Sequence, residues 1–167
     1  MTTARQHEIF DEFKDRVYSL ALRYSNDADR AADLTQEIFL KIFQSFKSFR
    51  GESQLATWIY RIAMNTCIDH QRRIARVVEL IEDPAACDRS DPEALFKESE
   101  LQRLIQEAVA ELPDGARESI VLRYVNGCSY DEIAEILGCP AGTVAARISR
   151  GQQMLRERLS HLRERVR

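Results

Sequence analysis

The chain has 167 residues, of which 44% are hydrophobic and 31% charged, and a formal net charge of −3. This length suits one ordinary domain or two small ones. No run of about 18 apolar residues is present, so the sequence predicts no membrane insertion. The N-terminus, MTTARQHEIFDEF, lacks the apolar core of a signal peptide. We therefore expect a cytoplasmic protein.

The cysteines and histidines give no support to a metal centre or a catalytic site. The cysteines lie far apart with no CxxC pair, the histidines are isolated, and no nucleophile motif is present. These residues are Cys67, Cys87, Cys128, Cys139, His7, His70 and His161. We expect no enzymatic activity, no metal and no cofactor.

The small net charge conceals a segregation of charge along the chain. Residues 58–76 carry four basic and one acidic side chain, and residues 140–167 carry seven basic and two acidic ones. Residues 77–139 carry five basic and fifteen acidic side chains. Because charge acts on phosphates only within a Debye length of about 10 Å, the two cationic segments can bind nucleic acid despite the acidic average.

Helical periodicity runs through every long segment, and no alternating strand pattern appears. It predicts three helices in residues 1–76, with a cap at Asn26-Asp27, a turn centred on Gly51 and a third helix from about Gln54 to Arg73. Residues 77–93 are predicted to be a flexible acidic linker with two prolines. Four more helices are predicted in residues 94–167. The expected fold is therefore all-α, with two small helical domains joined by the linker.

The segment from Ser129 to Ser160 has the layout of a helix-turn-helix. Ser129 and Glu132 form a capping-box pattern, Gly138 suits the end of a helix, and Gly142-Thr143 can open the next one. Arginines remain on or near the outer side of that second helix. Such a unit places the N-terminal half of the second helix in the DNA major groove. The alternative is an ordinary helical hairpin with a solvated cationic face.

Two stretches resemble a known family. Residues 33–73, DLTQEIFLKIFQSFKSFRGESQLATWIYRIAMNTCIDHQRR, resemble region 2 of bacterial sigma factors, and residues 112–159, LPDGARESIVLRYVNGCSYDEIAEILGCPAGTVAARISRGQQMLRERL, resemble region 4. Their order, the short linker and the total length are similar to the extracytoplasmic function sigma factors of the sigma-70 family. The resemblance implies a protein that binds core RNA polymerase, recognises −10 and −35 promoter DNA and directs transcription initiation. An anti-sigma factor is a further partner that the resemblance suggests.

The resemblance also implies three sets of contact residues. One set, with carboxylates at i,i+4 spacing, would meet core polymerase, although a solvated helix face has the same pattern. A mixed aromatic and cationic helix would hold the −10 element, since single-stranded DNA is bound by stacking and phosphate neutralisation. A third set would contact the −35 duplex. The sets are Asp33, Gln36 and Glu37 for polymerase; Trp58, Arg61, Asn65, Arg72 and Arg73 for −10 DNA; and Thr143, Arg147 and Arg150 for −35 DNA.

The second helix of the helix-turn-helix departs from the family pattern. Ala145-Ala146 stands where many relatives carry a basic or polar pair, and Gly151 weakens a helix interior by about 1 kcal/mol relative to alanine. Two other functions therefore stay open at this point. One is a free-standing helix-turn-helix regulator that acts without polymerase, and the other is a protein-interaction module that has lost DNA binding.

Overall fold

The computed structural model describes residues 3–80 and 100–165, and the described residues are almost entirely helical with no strand. A short 3-10 helix, Phe46–Ser48, follows the second α-helix. None of the helices in the described ranges is both long and apolar enough to cross a membrane. Within the described ranges the α-helices are α1 Thr3–Ser25, α2 Ala28–Ser45, α3 Leu55–Leu80, α4 Glu100–Ala110, α5 Asp114–Tyr124, α6 Tyr130–Leu137 and α7 Ala141–Arg165.

Helices α1, α2 and α3 pack into one bundle around an aliphatic and aromatic core. Asp27 caps α2, as predicted, because its carboxylate accepts a hydrogen bond from the backbone N–H of Arg30 at 2.8 Å. The hydroxyl of Tyr24 donates to the sulfur of Met64 at 3.2 Å and ties α1 to α3. Fully buried members of this core include Ile9, Val17, Leu20, Ala21, Ile38, Ile42, Ile59 and Ala63.

Helices α4 to α7 form the second bundle, in which α6 and α7 make the predicted helix-turn-helix. Both hydrogen bonds of the capping box are present, from Ser129 N–H to the Glu132 carboxylate at 2.7 Å and from Glu132 N–H to the Ser129 hydroxyl at 3.2 Å. Gly138 ends α6 in the left-handed conformation, with φ of 62°. Glycine adopts this conformation without the steric cost that a Cβ imposes. Ile133, Val144 and Ile148 are buried between the helices.

Two helix boundaries differ from the prediction. Helix α3 continues to Leu80, about seven residues beyond the predicted end at Arg73, because the intervening sequence IARVVEL holds no glycine or proline. Helix α7 begins at Ala141, directly after Pro140, rather than at Gly142. The predicted linker 77–93 lies outside the described residues except for 77–80, which continue α3.

The two bundles touch each other. Helix α3 contacts α6, and α1 contacts α4. The buried apolar residues of both bundles belong to one connected cluster. The sequence predicted two separate small cores. Because the fraction of surface that folding buries rises with the size of the folded unit, packing two small bundles together buries apolar area that neither could bury alone.

Candidate nucleic-acid and protein interfaces

One face of α2 carries the residues predicted to bind polymerase. Asp33 and Gln36 are exposed, whereas Glu37 is half-buried and already paired. Its carboxylate lies 2.8 Å from the Lys41 ammonium and 3.4 Å from the Arg73 guanidinium. The hydrogen bond from Lys41 is the main cause that lowers the pKa of Glu37. The carboxylate is therefore ionised at neutral pH and oriented by two cations.

Sequence reasoning did not single out Leu40 on the same face. Its side chain is 58% exposed, although it belongs to an otherwise amphipathic helix. It lies seven residues after Asp33 and four after Gln36, a spacing that brings all three onto one helical stripe. The available signal was an apolar residue at the same helical spacing as the polar residues Asp33 and Gln36. An exposed leucine on the same face as the oriented Glu37 carboxylate suits a protein partner better than DNA.

An aromatic cluster forms where the chain enters α3. The ring of Trp58 lies 5.2 Å from that of Phe49 and 6.0 Å from that of Phe46, measured between centroids. The turn at Gly51, with φ of 73°, brings the Phe49 segment back against the first turn of α3. Trp58 is half-buried, so it contributes to packing and still presents part of its indole to solvent.

After Trp58 along α3, one side of the helix carries the other predicted −10 contacts. Asn65 and Arg72 are exposed, and Arg73 leans toward Glu37. Arg61 is half-buried because it is held by the second bundle. Its Nη2 donates to the carboxylate of Glu135 at 2.9 Å and to the backbone carbonyl of the same residue at 3.2 Å. The structure thus brings Arg61 and Asn65 onto one helix face but engages the arginine with α6.

The predicted −35 contacts line a groove beside the start of α7. Its volume is about 410 Å³, and Thr143, Arg147 and Arg150 contribute to its wall together with residues of α5. Ala146 is exposed in this wall, so the departure from the family pattern falls on the groove itself. The backbone N–H groups at a helix N-terminus favour an anion. The groove therefore combines the guanidinium groups of Arg147 and Arg150 with the N-terminus of α7, and both features favour binding of an anion.

Two residues that sequence reasoning missed position Arg147. The arginine lies across Gly115 of α5, where an added Cβ would be 2.8 Å from Arg147 Nε. Its Nη1 donates to the sulfur of Cys139 at 3.6 Å. Arg147 is consequently half-buried, whereas Arg150 one turn later is exposed. Further along α7, Arg158 pairs with Glu111 and ties α7 to the region just after α4.

The described residues hold no group of three or more His, Cys, Asp or Glu side chains that could bind a metal. Burial raises the pKa of the Cys67 thiol to about 12 and that of Cys128 to about 11. Both thiols are therefore protonated at neutral pH. Cys139 is half-buried.

Family models match both helical bundles of the chain. The family model for Sigma-70 region 2 matches residues 9–77, and the model for Sigma-70, region 4 matches residues 102–155. The chain is 36% identical over 166 residues to the ECF RNA polymerase sigma factor SigW of Bacillus subtilis, covering 93% of this chain and 89% of the relative. It is 36% identical over 165 residues to the ECF RNA polymerase sigma-E factor of Haemophilus influenzae, covering 92% and 87%.

Solved structures show the same likeness. The sigma factor RpoE of Bartonella quintana, crystallised in complex with the anti-sigma factor NepR, matches with a TM-score of 0.75 and 27% identity over 92% of this chain and 97% of that one. CnrH in complex with the cytosolic domain of CnrY has the same fold, with a TM-score of 0.73 and 22% identity over 96% and 90%. The two region models in this order and the relatives over nearly the full length show that the chain belongs to the extracytoplasmic function sigma factors of the sigma-70 family.

Proposed function

We propose that this chain is a promoter-specificity subunit that binds core RNA polymerase, recognises −10 and −35 promoter DNA and directs transcription initiation. The observation that supports it most is the pairing of two different cationic surfaces on one chain. One is a helix with an aromatic cluster, and the other is a groove at the start of a recognition helix. The first suits single-stranded DNA and the second suits duplex DNA. Sigma factors carry out no bond chemistry, so the function is recognition and DNA opening.

Core polymerase binding is assigned to the α2 face that holds Asp33, Gln36 and Glu37. Lys41 and Arg73 keep the Glu37 carboxylate ionised and fixed in orientation. Charged groups held in a fixed geometry can set the register of a complementary partner surface. Leu40 adds exposed apolar area in the middle of that face.

Recognition of the −10 element is assigned to the face of α3 that holds Trp58, Arg61, Asn65 and Arg72, with Arg73 beside it. The exposed amide of Asn65 offers both a donor and an acceptor to the edge of an extruded base. The half-buried indole of Trp58 offers a stacking surface. The arginines neutralise phosphates along the helix.

Recognition of the −35 element is assigned to Thr143, Arg147 and Arg150. Thr143, in the first turn of α7, is placed to contact a phosphate together with the helix N-terminus. Arginine can bind guanine through two hydrogen bonds, which gives about 1–3 kcal/mol of discrimination. With Ala145-Ala146 in this helix, fewer side chains reach the bases, so sequence-dependent DNA shape carries part of the specificity.

Run-off transcription with purified chain, core enzyme and a promoter library tests the proposal. We expect RNA to start at specific promoters. Duplex binding with no effect on core polymerase would contradict the proposal and favour a free-standing regulator. Polymerase binding without initiation would contradict it in favour of a pure interaction module.

Asn65→Ala should impair promoter opening with little change in thermal stability, because the amide is exposed. The control is Glu12→Ala, which removes an exposed polar side chain from α1, a helix that carries none of the assigned contacts. Opening is measured by permanganate reactivity of promoter thymines in the holoenzyme complex. Equal losses of activity and thermal stability would contradict the assigned role.

Arg147→Ala should reduce the dependence of transcription on the −35 sequence and leave core binding unchanged. The control is Arg156→Ala, which removes an exposed arginine nine residues further along the same helix. An unchanged promoter profile for Arg147→Ala would refute its role in reading the −35 element.

An anti-sigma partner and a cytoplasmic location complete the proposal. The related RpoE is held by an anti-sigma factor in its crystal structure, and the present chain matches 97% of that sigma factor's length. Core polymerase and promoter DNA share the cytoplasm of a bacterial cell. Co-purification of the chain with a protein that blocks run-off transcription would support the existence of an anti-sigma partner.

A further inference from the structure

Three features of the second bundle fix where the side chain of Arg147 lies. The side chain crosses Gly115 on α5, in the space that a Cβ would need: such an atom would lie 2.8 Å from Nε, 2.9 Å from Cζ and 3.3 Å from Cδ. The Nη1 group donates to the sulfur of Cys139 at 3.6 Å. Burial raises the pKa of Glu118, three residues after Gly115, and the positive charge of Arg147 opposes that rise. Arg147 is therefore held against α5 by contacts from two other segments of the bundle.

The obstruction at position 115 falls on the movable end of one side chain. The three heavy atoms nearest to a Cβ at this position all belong to Arg147. Alanine at position 115 can therefore be accommodated by a movement of the arginine, and neither the backbone nor the core has to shift. At Gly151, by contrast, the nearest atom is Cγ1 of the buried Ile120. Gly115 thus controls the position of one side chain without being required for the fold.

The same arginine belongs to the groove assigned to −35 DNA. Gly115 and Arg147 both line this groove, together with Thr143 and Arg150. An arginine reads guanine through two parallel hydrogen bonds, so its guanidinium must lie in one defined plane. A side chain that is already held in place loses less conformational entropy on binding than a free one. The contacts with α5 and Cys139 therefore prepare Arg147 for reading a base.

We propose that Gly115 is a positioning residue for promoter recognition, because its lack of a side chain lets Arg147 lie where it reads one base pair of the −35 element. Gly115 acts through Arg147 and makes no contact with a base. This role rests on the proposed function, which assigns Arg147 to −35 DNA. A displaced arginine keeps its charge and still attracts phosphates, whereas base reading depends on its geometry. Gly115→Ala should therefore change base preference more than overall affinity for duplex DNA.

Chemical labelling of the full chain measures the position of Arg147 without DNA. Phenylglyoxal modifies accessible guanidinium groups, and mass spectrometry of the peptides gives the rate at each arginine. In the wild-type chain the half-buried Arg147 should react about threefold more slowly than the exposed Arg150. Gly115→Ala should bring the two rates together without lowering the Tm. Equal rates in the wild-type chain, an unchanged Arg147 rate in the variant, or a fall in Tm would overturn the proposal.

Promoter profiles measure the effect on recognition. Core polymerase with each variant transcribes a library in which every base pair of the −35 element is varied, and the RNA yields give the base preference at each position. Arg147→Ala should remove the preference at one base pair. Gly115→Ala should weaken the preference at that same base pair about fivefold and leave unchanged the preference that Arg150→Ala removes. A uniform loss at all positions would indicate a structural defect and overturn the proposal.

The double variant that combines Gly115→Ala with Arg147→Ala is the matched control. With the arginine removed, a methyl group at position 115 displaces nothing, so the promoter profile should equal that of Arg147→Ala alone. A further loss of preference in the double variant would show that Gly115 acts by another route and would overturn its positioning role.

Two outcomes separate this role from the proposed function. If the chain starts RNA at specific promoters but Gly115→Ala keeps the wild-type profile, the positioning role fails and the proposed function stands. If the wild-type chain directs no transcription while the labelling rates change as expected, the proposed function fails. The role of Gly115 in promoter recognition then fails with it, whereas its control of the Arg147 position stands.

Discussion

Replacing Gly151 with alanine sets two opposing effects against each other where α7 crosses α5. A Cβ at this position would lie 2.9 Å from Cγ1 of Ile120 and 3.5 Å from Cβ of Ala116. Alanine favours a helix by about 1 kcal/mol over glycine, whereas overpacking a buried site costs about 1–3 kcal/mol. Ile120 is only 5% exposed, so neighbouring atoms restrict its movement. We expect Gly151→Ala to lower the free energy of unfolding by up to about 2 kcal/mol.

The assay is thermal unfolding followed by circular dichroism, in which each kcal/mol shifts the Tm by about 2–4 °C for a chain of this size. Gly142→Ala is the matched control, because Gly142 lies in the same helix with no atom within 4 Å of an added Cβ. It should leave the Tm unchanged or raise it.

A second background isolates the contact with Ile120. In an Ile120→Ala chain the obstructing atoms are gone, so adding Gly151→Ala should raise the Tm rather than lower it. A gain in Tm for Gly151→Ala in the wild-type chain, equal to that of Gly142→Ala, would refute the reasoning from close packing.

Three further predictions concern local stability and thiol chemistry. Ser129→Ala should lower the free energy of unfolding by about 1 kcal/mol, because it removes a capping-box hydrogen bond, and chemical denaturation measures the loss. The backbone hydrogen bond from Ser129 lowers the pKa of Glu132 below its ordinary value of 4.5. The wild-type chain should therefore be more stable than the Glu132→Gln variant above pH 4.5, and it should lose this advantage as the pH falls through the lower folded-state pKa. An advantage that persists in stronger acid would contradict this. Cys139 should react with iodoacetamide faster than Cys67 and Cys128, whose burial raises their pKa, and equal labelling rates by mass spectrometry would count against it.

Local signals allowed much of the second bundle to be predicted. The capping box at Ser129 and Glu132 and the left-handed Gly138 depend on hydrogen bonds and sterics within one turn, and both are present as expected. The predicted end of α3 was about seven residues too early, because a basic segment such as RRIAR is typical of the last turn of a helix. No stop residue follows it, so the helix continues.

The interpretation of Gly151 needed the structure for another reason. In the sequence, Gly151 indicated only a weak point in the helix. In the structure Gly151 is buried, and the Ile120 side chain fills the space that a Cβ would need. The same limit applies to Arg61, whose partner Glu135 is 74 residues away. Periodicity places a side chain on a face but does not identify which distant helix meets that face. Likewise, the sequence placed Arg147 on the outer side of its helix but did not show that its side chain lies across Gly115 of α5.

The position of Trp58 has a practical consequence. It is the single tryptophan of the sequence, and its indole packs against Phe46 and Phe49 at the head of α3, one turn before Arg61. Excitation at the red edge of protein absorbance therefore reports on this one place without any attached dye. We expect a base that stacks on the indole to quench the emission, so steady-state fluorescence of the free chain reports capture of a single strand at this face.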